Sequence, residues 1–242
     1  DVQNGRIEDA NKIAKQIQAA NPDNPLGYIL EGDAAYAARN YTAALAAFER
    51  AQSRQPSGAW LIRQLSVFNA LQRPEDGEQR ILRWLQAHPQ DGSVRAALAE
   101  NLLKRKQYKT AAEQYLTLNT QTPNNLLVLN NLAWTLSEMG DERALDFAEQ
   151  ALKLKPDSAP AMDTLGWILV QRKQTDRGIK LIRQALEKAP DSGDIQFHLA
   201  AAYAQAGDVS RARSELKRLL DSGIAFTQEA EARALLQKMQ SQ

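Results

Sequence analysis

The sequence predicts an all-α protein: a right-handed superhelical solenoid of antiparallel helix pairs, closed by a C-terminal capping helix. The first observation behind this is spacing. Prolines recur at Pro22, Pro56, Pro89, Pro123, Pro156 and Pro190, at intervals of 34, 33, 34, 33 and 34 residues. Proline lacks an amide hydrogen and its ring collides with the preceding turn, so evenly spaced prolines are evenly spaced helix stops. The second observation is a stretch written twice. Leu129-Asn-Asn-Leu132-Ala133-Trp134-Thr-Leu136, with Ala144, Ala148 and Pro156, returns as Met162-Asp-Thr-Leu165-Gly166-Trp167-Ile-Leu169, with Gly178, Ile182 and Pro190. The third is the helical period of the apolar residues before each proline. One period is one helix pair, which buries its apolar face only by stacking on its neighbours.

Taken in order, residues 1–24 carry Ala10, Ala14, Ile17 and Pro22, the pattern of a second helix alone. This half repeat is expected to belong to a longer array. Six units follow, over about 25–57, 58–91, 92–124, 125–158, 159–192 and 193–226. The first has Tyr28, Gly32, Ala44, Phe48, Ala51 and Pro56, with Glu31 where leucine is usual. The second has Leu61, Leu65, Phe68, Gly77 and Ile81, with Trp84 in a column of small residues. An indole there predicts a local splay, and Pro74-Glu75-Asp76-Gly77 reads as the turn between that unit's helices. The third unit shows Leu98, Ala99, Leu102, Ala111 and Tyr115; the sixth shows Leu199, Ala200, Tyr203, Ala212 and Leu216. Gly140-Asp141 and Gly207-Asp208 mark inter-helix turns. Residues 227–242 form the capping helix, with Ala230, Ala234, Leu235 and Met239 on its apolar side.

Composition removes several function classes. Thirty basic residues against 29 acidic leave a net charge of +1, without the basic footprint that neutralises phosphates, so no nucleic-acid partner is expected. The absence of cysteine excludes disulfides, thiolate chemistry and cysteine-based zinc sites. No apolar run reaches the ~20 residues of a membrane span. There is no phosphate-binding glycine loop, no His-Glu-x-x-His and no Gly-x-Ser-x-Gly. No enzyme activity, cofactor or metal is therefore expected. Of two histidines, His88 precedes Pro89 at a unit boundary, and His198 lies where it faces Asp163 on the neighbouring first helix. That pair reads either as a tuned base or as a polar contact.

The candidate site is the face shared by the first helices. It is expected to present Asn130, Asn131 and Trp134, then Asp163, Thr164 and Trp167, then Phe197 and His198, with Asp33 and Tyr36 upstream. Trp134 and Trp167 share one local phase and should stand side by side. Exposed indoles flanked by amides and carboxylates suit an extended peptide or a sugar ring. Indoles packed into the seam between repeats are the other reading.

These columns match the tetratricopeptide signature, aromatic-x2-Leu-Gly/Ala-x2-large, then Ala-x3-aromatic, then Pro. The resemblance to tetratricopeptide-repeat (TPR) proteins covers nearly the whole chain and implies a concave groove lined by first helices that binds partner proteins. Some TPR modules clamp a peptide carboxylate with groove lysines, which are missing beside Asn130 and Asn131. The run from Asn130 to Leu220 also resembles the repeat lipoproteins of bacterial exosortase (PEP-CTERM) systems linked to exopolysaccharide production. That resemblance implies a lipid-anchored scaffold in the periplasm or cell envelope, its leader and anchoring cysteine upstream, with a cytoplasmic setting as the alternative. The expected partner is a protein segment in the groove. Polysaccharide binding, or service as the substrate-presenting arm of a larger enzyme, are the rival readings.

Overall fold

The computed structural model describes residues 2–240, with side chains from residue 6 onward. Asp1 and the last two residues of the expected capping helix, 241–242, lie outside the described residues. The described residues form fourteen α-helices and no strand. They fall into two compact units, residues 1–105 and 106–242.

The first unit holds α1 (Val2–Ala20), α2 (Pro25–Ala37), α3 (Tyr41–Arg54), α4 (Gly58–Ala70), α5 (Pro74–Ala87) and α6 (Gly92–Lys104). Each helix packs on the next, and α4 also meets α6. Most starts are capped as the residue types predict. Asn24, Asn40, Ser57 and Asp91 accept amide hydrogens that the first turn cannot bond internally. The core between α2, α3 and α4 is Tyr28, Ile29, Ala44, Phe48, Ala51 and Val67. Glu31, the departure from the usual leucine, accepts from Gln18 Nε2 on α1 at 2.7 Å and pairs with Arg50 on α3 at 2.8 Å. A carboxylate thus ties three helices where a leucine would only pack.

One sequence expectation changes here. Pro74-Glu75-Asp76-Gly77 is not the inter-helix turn; it is the first turn of α5, and the chain reverses at Leu71–Arg73. Proline at the first helical position gives up an amide that has no partner there, and Glu75 and Asp76 complement the helix dipole. The Trp84 indole is accommodated by its neighbours. Its Nε1 donates to Asp91 at 2.8 Å, its ring stacks on His88, and it lies against Gly58, where a Cβ would sit 3.2 Å from Nε1.

The second unit holds α7 (Tyr108–Gln121), α8 (Leu126–Glu138), α9 (Arg143–Leu154), α10 (Ala159–Gln171), α11 (Thr175–Lys188), α12 (Gly193–Gln205), α13 (Val209–Ser222) and α14 (Glu229–Gln240). The tightest approach is between α10 and α11. A Cβ on Gly166 would meet the Gly178 carbonyl at 2.9 Å, and a Cβ on Gly178 would meet the Gly166 carbonyl at 2.5 Å. Backbone lies on backbone, so neither position tolerates a side chain. At the far end α14 packs on α13, with Ala232 and Met239 buried in one cluster with Ala212, Leu216 and Leu219.

The turns inside the pairs share one device. Arg39, Gln72, Lys106, Gly140, Lys173 and Gly207 all have φ between 57° and 81°. This left-handed residue reverses the chain after each first helix, and only two of the six are the glycine that suits it.

Candidate functional site

The six first helices, α2, α4, α6, α8, α10 and α12, are each 13 residues long, so their positions can be compared directly. The fifth residues are Ile29, Ile62, Ala96, Asn130, Asp163 and Phe197. The sixth are Leu30, Arg63, Ala97, Asn131, Thr164 and His198. The ninth are Asp33, Ser66, Glu100, Trp134, Trp167 and Ala201. These three rows share one side of the helix, because four residues advance the direction by little more than one turn.

In the second unit this side is the inside of a curve. The Trp134 ring on α8 lies 5.2 Å from the His198 ring on α12, across the intervening α10. The Trp167 ring lies at the same 5.2 Å from His198 and is stacked at 19°. Neighbouring helix axes are 8–10 Å apart, so rings two helices away meet only where the face is concave. The two indoles therefore do not simply stand side by side; they close on one imidazole. Both are half-buried, with Asp163, Thr164 and His198 buried beneath them.

Hydrogen bonds fix that imidazole. His198 Nδ1 lies 2.8 Å from Asp163 Oδ2. A carboxylate only accepts, so Nδ1 carries the proton. Gln228, just before α14, places its Nε2 amide 3.2 Å from His198 Nε2, which accepts. Both ring nitrogens of the imidazole thus have protein partners. A general base needs its acceptor nitrogen within hydrogen-bond reach of a reacting proton; here Gln228 occupies that nitrogen. Asp163 Oδ1 and Asn130 Oδ1 are both buried and accept no hydrogen bond.

The remaining expected residues are placed as follows. Asn131 Nδ2 donates to the Tyr115 hydroxyl at 3.2 Å. Phe197 is buried and stacks on Phe226 at 6.2 Å. Asp33 accepts from Arg63 Nε at 3.0 Å, at the exposed surface of the first unit. Tyr36 is exposed and tilts against Tyr41 at 5.4 Å. Asp33 and Tyr36 therefore belong to the first unit's face.

Sequence reasoning missed the rim of the second unit's face. Thr227 N donates to Asp194 Oδ1 at 2.7 Å, and Glu231 on α14 pairs with Lys106 at 3.2 Å. Lys106 precedes α7, so the contact spans 125 residues of sequence. Burial, together with the carboxylates of Glu138 and Glu231, pushes the Tyr108 phenol up to about 12. A cleft of about 540 Å³ also lies between the α8–α9 and α10–α11 turns, lined by residues that include Ser137, Asp141, Gln171 and Arg172. Only the capping asparagines and turn glycines gave local signals nearby; none pointed at Lys106, Gln228 or Glu231. Among the described residues no cluster of His, Asp and Glu is arranged to hold a metal, and no helix is long and apolar enough to cross a membrane.

Comparison with known proteins agrees with this architecture. One tetratricopeptide-repeat profile matches residues 1–59 and another matches residues 169–239. The chain is 30% identical over 161 residues to a TPR repeat-containing protein of Pseudomonas aeruginosa, covering 62% of this chain and 26% of that protein. It is 33% identical over 130 residues to the general transcriptional corepressor ssn6 of Schizosaccharomyces pombe, covering 47% of this chain and 12% of the corepressor. The chain thus spans about a quarter or less of the length of these relatives. Among solved structures, a tetratricopeptide repeat protein from Parabacteroides merdae superposes with a TM-score of 0.73 at 13% identity, over 90% of this chain and 92% of that one. The APC/C hetero-tetramer Cut9–Hcn1 gives 0.70 at 15% identity, over 98% and 47%. At such identities the likeness is one of fold.

The chain carries tetratricopeptide repeats and has the all-α tetratricopeptide fold. Proteins of this fold are generally non-enzymatic scaffolds that bind other proteins. None of the relatives just described is named for an exosortase or polysaccharide-export system.

Proposed function

We propose that this chain is a non-enzymatic scaffold that holds an extended segment of a partner protein against the first-helix face of residues 106–242. Trp134 and Trp167 are the anchors, and Asn130, Asn131, Asp163 and Thr164 supply hydrogen-bonding groups. One observation carries this reading: the ninth position changes from Asp33, Ser66 and Glu100 to Trp134 and Trp167, which leaves two half-buried indoles on the inside of a curve. Aromatic side chains with one flank dry and one flank wet are the usual hot spots of binding surfaces, and truncating such an anchor costs on the order of 2–4 kcal/mol of affinity. The wider setting, a lipid-anchored scaffold of a bacterial envelope, protein-sorting or exopolysaccharide-export system, rests on the resemblance of the run from Asn130 to Leu220.

Intrinsic tryptophan fluorescence, titrated with display-selected peptides and separately with oligosaccharides, tests the reading. Peptides are expected to quench or shift the signal, and oligosaccharides to leave it unchanged. The double variant Trp134→Ala, Trp167→Ala should lose peptide binding while its circular dichroism stays helical. Peptide binding that survives in the double variant, or loss of its cooperative unfolding, would return both indoles to seam packing.

A further inference from the structure

Beneath the two indoles lie acceptors with nothing to accept. Asp163 is 7% exposed, and only its Oδ2 takes a hydrogen bond, from His198. Its Oδ1 is buried without a donor, and so is the Oδ1 of Asn130. Asn130 and Asp163 are the fifth residues of α8 and α10, which pack side by side, so the two acceptors stand one repeat apart in one row. Leaving a buried acceptor unpaired destabilises the fold by the desolvation of that group, and more so for a carboxylate.

We infer that the partner segment enters this face with a lysine or arginine side chain, seated under Trp134 and Trp167 on Asp163 Oδ1 and Asn130 Oδ1. This deepens the reading of the groove given above and rests on it. The chemistry is selective in three ways. Asp163 brings a carboxylate to the site with one oxygen unbonded. The free groups are acceptors, and ammonium and guanidinium are donor-only. Indole faces attract cations through their quadrupole, guanidinium above all. A carboxylate would meet repulsion from Asp163, and a sugar hydroxyl would fill the acceptors but leave the charge. Carboxylates also stand on the rim. Glu138 and Glu231 both crowd Tyr108, Asp194 holds Thr227, and Lys106 is paired with Glu231. The indoles are the half-exposed layer and Asp163 the buried one, so a cation seated on Asp163 lies on the inner side of the rings.

The test uses the full chain against a displayed library of random short peptides, with selected peptides then synthesised. Selected sequences should be enriched in lysine or arginine. Replacing that residue with citrulline or norleucine should weaken binding by at least about tenfold, as should Asp163→Asn in the protein. Asn130→Asp adds a second negative charge beside the same cation and should tighten binding by about threefold. That variant and the citrulline peptides carry the test even where Asp163→Asn fails to fold. Peptides rich in aspartate or glutamate, or binding that survives loss of the basic residue, overturn the cation. The groove reading still stands if those peptides are lost on Trp134→Ala, Trp167→Ala. Peptides indifferent to both tryptophans, or a library that yields no binder, overturn the groove reading and the cation together.

Discussion

In the first unit, Asp33 at the ninth position of α2 pairs with Arg63 at the sixth position of α4, 3.0 Å apart and well exposed. In the second, Trp167 at the ninth position of α10 stacks on His198 at the sixth position of α12, with Asp163 bonded behind it. The two contacts join the same two places on consecutive first helices. The repeat backbone therefore supplies a fixed meeting point, and the side chains decide whether it is a solvated ion pair or a dry aromatic stack. An exposed ion pair contributes about 0–1 kcal/mol, whereas a buried charge depends on its partner.

The largest expected effect tests that contrast directly. His198→Ala strands the Asp163 carboxylate in a dry setting and should cost about 3–5 kcal/mol in urea unfolding, while Arg63→Ala should cost about 0–1 kcal/mol. Equal losses would erase the distinction between the faces. A second pair concerns the eighth position. Gly166→Leu drives a side chain into the Gly178 backbone and should cost about 1–3 kcal/mol. Gly32→Ala meets the Phe48 ring first, 2.4 Å from the new Cβ, so Phe48→Leu should recover part of its loss. An unchanged melting curve for Gly166→Leu would mean that α10 and α11 are not in backbone contact. Smaller again is Lys173→Gly at a left-handed turn residue, which should raise stability by about 0.5–1 kcal/mol, since glycine adopts that conformation without a steric penalty.

The smallest effect is confined to acid. The residue after the left-handed position is Asn40 or Arg73 in the first unit; in the second it is Gln107 and Gln174 at two turns and Asp141 and Asp208 at the other two. Hydrogen bonds from the Arg143 side chain and amide hold Asp141 down to about 2 from an ordinary 3.8. Its stabilisation is therefore complete above pH 3.8 and is lost as the pH falls towards about 2. Asp141→Asn should flatten the dependence of melting temperature on pH in that window; a slope equal to that of the parent chain would show that the pairing contributes nothing.

Much of this architecture could be read locally. Each proline stop, each Asn, Ser or Asp cap and each small residue in a column acts within a turn or two of its own position, so one-dimensional spacing reports it. The second unit's aromatic row was legible for the same reason: Trp134 and Trp167 repeat in phase. Pro74–Gly77 was misread because proline and glycine signal turns, yet here proline starts a helix and Gly77 lies buried inside it, where a Cβ would meet Leu65 at 2.9 Å. Four of the six left-handed turn residues carry ordinary side chains and leave no mark in the sequence.

By itself, then, the sequence determined the helix pairs, their period and the rows that share a face, since all of these follow from short-range sterics and helical phase. Tertiary structure alone decided that the two indoles converge on His198, that Gln228 occupies the remaining imidazole nitrogen, and that Lys106 meets Glu231. Those contacts come from curvature, the sum of many small packing rotations between neighbouring helices, and no single residue encodes a sum.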